Sequence, residues 1–190
     1  MINNFKLVQE IYSEEFENQL FMIQILKRRK ENPELSKNSK TVDFFYCKSI
    51  AEIKELEEKI VEKCNKENAR AYLWINRRNV VEVALKSSSL ITEWIRMGQA
   101  IQAKNAFQKA FGAKGMSAES QKKWIIDIDT KDAGINLEII EKISTIKEDA
   151  IIATIPTPNG FHLITTGFDT RTFNEELDIK KDNPTILYAV

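Results

Sequence analysis

The chain has 190 residues, enough for one domain with a real core and short for two. Its 28 Lys and Arg balance 28 Asp and Glu, which argues against a generally basic nucleic-acid coat. No apolar run reaches the roughly 18 residues that span a bilayer, and the start M-I-N-N-F-K-L-V-Q-E is not a signal peptide, so a cytoplasmic, non-membrane protein is expected.

In chain order, residues 1–18 read as a short amphipathic helix or a loosely held arm. L-F-M-I-Q-I-L-K at 20–27 predicts a strand, and the charged stretch around Pro33 predicts a surface loop. V-D-F-F-Y-C at 42–47 is a second strand. Ser49 with Glu52 three residues on has capping-box spacing, and Ile50, Ile53, Leu56, Ile60 and Val61 give the following helix an apolar stripe. A third strand is predicted at 70–78 and a mostly helical stretch from Val80 to about Phe111, with possible breaks at Ser87–Ser89 and Gly98. G-A-K-G-M-S-A-E-S at 112–120 reads as a linker, which divides the chain into an N-terminal α/β module (1–112) and a C-terminal module (120–190) of one two-lobed domain. Residues 1–120 carry a net charge of +4 and residues 121–190 a net of −4, as a phosphate-binding surface beside a metal-binding one would.

The C-terminal module is more densely patterned. W-I-I-D-I-D predicts a strand, 135–143 a helix, A-I-I-A-T-I-P at 150–156 a strand, T-P-N-G a tight turn, F-H-L-I-T-T a strand, about 170–176 a helical piece, and T-I-L-Y-A-V a last strand. That order is β-α-β-β-α-β, the split βαβ or ferredoxin-like arrangement, in which the first and third strands lie side by side. The overall expectation is an α/β (α+β) fold, with this sheet packed against the N-terminal module.

Asp127 and Asp129 are two residues apart on one strand, so their side chains share a face. Carboxylates so placed repel unless a cation lies between them, and a divalent metal is the usual one. His162, the chain's only histidine, lies 33 residues after Asp129 and is expected on the neighbouring strand. Ile125 shares the parity of the aspartates, while Trp124, Ile126 and Ile128 point the other way. The polar face is therefore expected to be open or to line a cleft against the N-terminal lobe, since charge beneath helices is costly. Asp178 and Asp182 are both candidates for a third acidic ligand to Mg²⁺ or Mn²⁺. The turn containing Thr157, Asn159 and Gly160 offers backbone N–H groups and a hydroxyl to an anion, or simply reverses the chain. Arg77 and Arg78, at a strand end, are candidates to reach a triphosphate or a template backbone, and Lys27–Lys30 is the densest basic run. Cys47 and Cys64 form no C-x-x-C pair and read as buried thiols.

The order hydrophobic-D-x-D, small-x-x-G-x-H, hydrophobic-D resembles the archaeo-eukaryotic primase superfamily, which includes the primase-polymerases. The likeness is to a minimal, phage-like member. I-I-D-I-D looks like the first motif, T-P-N-G-F-H the second and L-D at 177–178 the third. The resemblance implies an RRM-like palm with Asp127, Asp129 and Asp178 as metal ligands. It also implies contacts from His162 and Thr157 to nucleotide phosphate, and it favours Asp178 over Asp182. The implied activity is metal-dependent nucleotidyl transfer in DNA replication. The implied partners are a nucleoside triphosphate, a single-stranded DNA template and replication proteins such as a helicase. The motif match covers residues 123–190. The family's zinc-binding element is missing, and about ten residues follow the third motif where family members usually continue. The alternatives are a metal-dependent nuclease or phosphoesterase, and a catalytically inactive primase-like module that binds nucleic acid or protein.

Overall fold

A computed structural model describes residues 1–12, 17–36, 38–113, 115–172 and 177–190. The N-terminal part opens with β1 (Ile2–Asn3), α1 (Phe5–Ile11), β2 (Gln19–Lys27) and β3 (Lys40–Cys47). It continues through α2 (Ile50–Glu55), α3 (Glu57–Glu67), β4 (Arg70–Trp74), β5 (Arg78–Asn79), α4 (Val80–Arg96), a 3-10 turn (Ala100–Asn105) and α5 (Ala106–Phe111). Then come β6 (Lys123–Ile128), α6 (Ala133–Ile146), β7 (Ile151–Pro156), β8 (Phe161–Thr166), a 3-10 turn (Thr170–Thr172), β9 (Asp178–Lys180) and β10 (Pro184–Ala189).

These strands form two antiparallel sheets. The first runs β1-β10-β4-β2-β3, with β5 paired to the start of β2. The second runs β7-β8-β6-β9. β2 is apolar on both faces because both are covered. Phe21, Ile23 and Ile25 meet Ile53, Ile60 and Cys64 of α2 and α3, and Leu20 and Met22 meet Val83 of α4 and Phe111 of α5. The Ser49 hydroxyl accepts from the Glu52 amide as its spacing predicts, but Leu56 divides the expected helix in two. α4 runs unbroken through Ser87–Ser89 and ends before Gly98, whose φ of +71° suits a residue without a Cβ.

The second sheet also has two covered faces. Ile126, Ile128 and Leu163 pack with Ile139 and Ile143 of α6. Ile125, Ile155 and Ile164, on the opposite face, join the core of the first sheet. Two buried asparagines stitch the sheets together. Asn4 donates to the carbonyls of Pro156 and Ile186 at 2.9 and 3.0 Å, and Asn76 exchanges two bonds with the backbone of Lys123 at 2.9 and 2.8 Å.

The expectation for the last strand is corrected. β10 does not close the C-terminal sheet; it lies between β1 and β4 of the N-terminal one. Thr185 to Ala189 are all buried, which suits the interior of a sheet covered on both sides. The fourth strand of the second sheet is instead the three-residue β9, too short to leave a periodic signal. The expected linker is also not a free tether. Glu119 within it is partly buried and holds Arg77, with the Arg77 Nε 2.6 Å from its Oε1. The helical piece expected at 170–176 is seen as the 3-10 turn, its remainder lying outside the described residues.

Candidate functional site

Asp127 is the penultimate residue of β6 and has a partner strand on each side. The register sets it opposite His162 of β8 and opposite Asp178 of β9. Directly opposed residues share a face, so one imidazole and two carboxylates project from three adjacent strands. The His162 Nε2 is 3.4 Å from Asp127 Oδ1, and its Nδ1 lies 2.9 Å from the hydroxyl of Thr185, a buried residue of β10. Burial pulls the imidazole below its ordinary value of 6.5; the Asp127 carboxylate opposes that shift and does not cancel it.

Lys180 completes the cluster. It is two residues after Asp178, on the same face of β9, and pairs with Ile125. Its ammonium donates to Asp127 Oδ2 and lies 3.1 Å from Asp178 Oδ2. Burial works against the lysine's charge, but the two carboxylates outweigh it and hold its pKa above the ordinary value. Asp129, just past the end of β6, is exposed at the same cleft.

This face opens onto a cleft of about 360 Å³ between the sheets. Asp127, Asp129, His162, Lys180 and the turn Thr157–Asn159 form one wall. Gln24, Arg70 and Tyr72 of the first sheet, with Arg28 and Lys30 from the turn after β2, line the other. Arg70 is held by Glu31, with its Nε 3.1 Å from the carboxylate. The turn is closed by two bonds, Thr157 N–H to the Gly160 carbonyl at 2.9 Å and Gly160 N–H to the Thr157 hydroxyl at 3.1 Å. Gly160 is there because the backbone beyond β6 crosses it. A Cβ would stand 1.9 Å from the Ile128 carbonyl oxygen and 2.9 Å from the Thr130 amide nitrogen. The same contact holds the segment carrying Asp129 against the turn.

Other expected site residues lie elsewhere. Arg77 and Arg78 do not line the cleft. Arg78 is fully buried, lies against the rings of Trp74 and Phe111, and donates to the carbonyls of Phe111 and Asn76. Its Nη2 also donates to Asp182 Oδ1 at 2.9 Å, so Asp182, the other candidate for the third acid, is the partner of a buried guanidinium. Short polar runs at strand ends look alike in sequence whether they face solvent or a seam between sheets, and only the packing separates them. Lys180 and Thr185 are additions. The D-I-K spacing signals a charge on the face of Asp178; nothing local signals Thr185, because its strand joins the other sheet.

Among the described residues, no group of three or more His, Cys, Asp or Glu side chains is gathered closely enough to hold a metal ion. Also among the described residues, no helix is long and apolar enough to cross a membrane. Comparison with protein-family models, curated proteins and solved structures finds no match to this chain.

Proposed function

We propose that the cleft binds a nucleoside triphosphate with Mg²⁺ or Mn²⁺, and that the protein is a metal-dependent nucleotidyltransferase of primase type acting on a single-stranded DNA template. The observation that carries this reading is Asp127 in register between His162 and Asp178, on a wall that faces Arg28 and Lys30. The antiparallel order β7-β8-β6-β9 supports taking the second sheet as the palm.

Asp127 and Asp178 are the carboxylates available to a divalent ion, which would take its other ligands from substrate phosphates and water. Asp127 and Asp178 already hold a cation, the Lys180 ammonium. Mg²⁺ is commonly held by one or two carboxylates together with substrate phosphates, so a three-residue protein cage is not required. Asp127 and Asp178 would hold the ion, with Asp129 beside them. When bound it supplies neutralisation of phosphate charge and polarisation of the phosphoryl group. The chain's own groups do the rest. Arg28 and Lys30 draw a polyanion into the cleft. The Thr157–Gly160 turn presents polar groups at its rim. His162, anchored by Thr185, offers a directed ring nitrogen to a phosphate oxygen.

One observation favours a second reading. Lys180 fills the space between the two carboxylates, as it would in a module that binds nucleic acid without metal. Incubation of the protein with Mn²⁺, a labelled primer on a longer template and deoxynucleoside triphosphates separates these. Strand extension that disappears in D127N is the expected result. Cleavage without added nucleotides points to a nuclease. Oligonucleotide binding with neither synthesis nor cleavage, unaffected by Mn²⁺, points to the metal-free module and overturns the proposal.

A further inference from the structure

Lys180 raises a question that the proposed activity leaves open: why a site built for a metal ion should carry its own cation. The register answers part of it. Asp127 pairs with Asp178 across β6 and β9, and Lys180 stands two residues along β9 on the same face, so its side chain reaches diagonally across to Asp127 and back along its own strand to Asp178. The Asp127 side chain is only 18% exposed, while Asp178 is 63% exposed. A carboxylate pair with one member largely out of water needs a counter-charge, and Lys180 supplies it from within the chain. Lys180 itself is 30% exposed and lines the cleft, so it has space to turn away from the aspartates.

A divalent ion and a lysine ammonium cannot occupy the same seat. For metal to enter, the ammonium must leave, and a lone cation in a cleft that already holds Arg28 and Lys30 would have to find another anion. A polyphosphate is such an anion, and the cleft that Lys180 lines is the one proposed to receive it. Resting on that reading, we infer that Lys180 is an internal counter-cation: it occupies the seat between Asp127 and Asp178 and releases it when a nucleotide polyphosphate takes over its ammonium. Metal and nucleotide then bind as a coupled pair, each raising the affinity of the other by the same factor. The nucleotide-free protein is correspondingly a poor binder of free metal.

Calorimetric titration of MnCl₂ tests this without reference to catalysis. It is run on the wild type and on K180M, each alone and with a saturating non-hydrolysable deoxyadenosine triphosphate. Phosphate oxygens ligate the metal in any protein, so coupling in the wild type is not diagnostic; its dependence on Lys180 is. Without nucleotide, K180M is expected to bind Mn²⁺ about tenfold more tightly than the wild type, because a positive charge a few ångströms from the metal is gone. The gain in Mn²⁺ affinity on adding nucleotide should shrink by a similar factor. Equal or weaker Mn²⁺ binding by K180M, with wild-type binding measurable, overturns the inference and leaves the proposed activity standing. No Mn²⁺ binding by either protein, with or without nucleotide, removes the metal reading and this inference together. K180Q, which keeps a polar head, is carried in parallel. If neither variant folds, the Lys180 Cε resonance of the wild type serves instead. It should move when Mg²⁺ and the nucleotide are added together and stay in place with Mg²⁺ alone. Movement with Mg²⁺ alone, saturating at the same concentration, refutes the coupling.

Discussion

Arg78 and Lys180 each hold an aspartate of the C-terminal segment, and they do so under opposite conditions. Arg78 is 0% exposed, with its guanidinium shared among Asp182, two backbone carbonyls and two aromatic rings. Lys180 is 30% exposed, and its described partners are the carboxylates of Asp127, on the cleft wall, and of the exposed Asp178. Nearby, Arg77 and Glu119 repeat the first pattern. Burial would raise the Glu119 carboxyl, but Arg77 and Lys123 together outweigh burial and hold it below its ordinary value. The comparison teaches that the same charged pair is a fastener when its cation is buried and turned onto partners within the protein. It is a candidate for exchange when one partner stays open to solvent. Arg77 and Arg78 belong to the seam between the sheets, and Lys180 belongs to the cleft.

The sharpest way to break that comparison is to remove each cation. R78M removes a charged partner from Asp182 and a donor from two carbonyls in the seam and is expected to cost about 3 kcal/mol of stability. K180M, at a partly solvated pair, should cost under about 1 kcal/mol. Urea unfolding of the two variants reads the difference directly, and equal losses would erase the distinction. G160A comes next, at about 1–3 kcal/mol, because the new Cβ collides with backbone and the turn must move. Its thermal unfolding should be accompanied by weaker nucleotide binding, since the displaced turn carries Thr157 and Asn159. D127N sharpens the cleft side. Stability should change by less than about 1 kcal/mol while Mn²⁺-dependent extension is lost, measured on the same preparation.

The smallest effect is the pH dependence set by His162. Its folded pKa lies below the ordinary 6.5, chiefly because of burial. The unfolded chain therefore binds this proton first as pH falls. The stabilisation is complete above pH 6.5 and is lost as pH drops from there through the folded pKa. Unfolding free energies at pH 7.5, 6.5 and 5.5 should fall along that series in the wild type and fall less in H162Q. A steeper fall in H162Q would show that the folded protein, not the unfolded one, takes up the proton first.

Much of the candidate site was legible because it rests on parity and on short connections. The two-residue spacing of Asp127 and Asp129 defines a shared face whatever the sheet does, and Ile125 on that parity marks where the face becomes core. The T-P-N-G turn, followed by a strand, made His162 a candidate neighbour of Asp127. The Ser49 cap and the stripe on α2 and α3 are equally local. None of this required knowing what lies across the cleft.

What the tertiary structure decided is partnership at long range. T-I-L-Y-A reads as a strand, yet whether it extends the second sheet or enters the first depends on which neighbours bury both its faces. That choice delivers Thr185 to His162 and Asp182 to Arg78. Arg77, Arg78, Lys180 and Asp182 are alike in sequence as charges near strand ends, and packing alone sorts them into seam and cleft. Side-chain direction alternates with a period the chain itself carries, whereas desolvation depends on segments a hundred residues apart, and it is desolvation that separates a fastened charge from an available one.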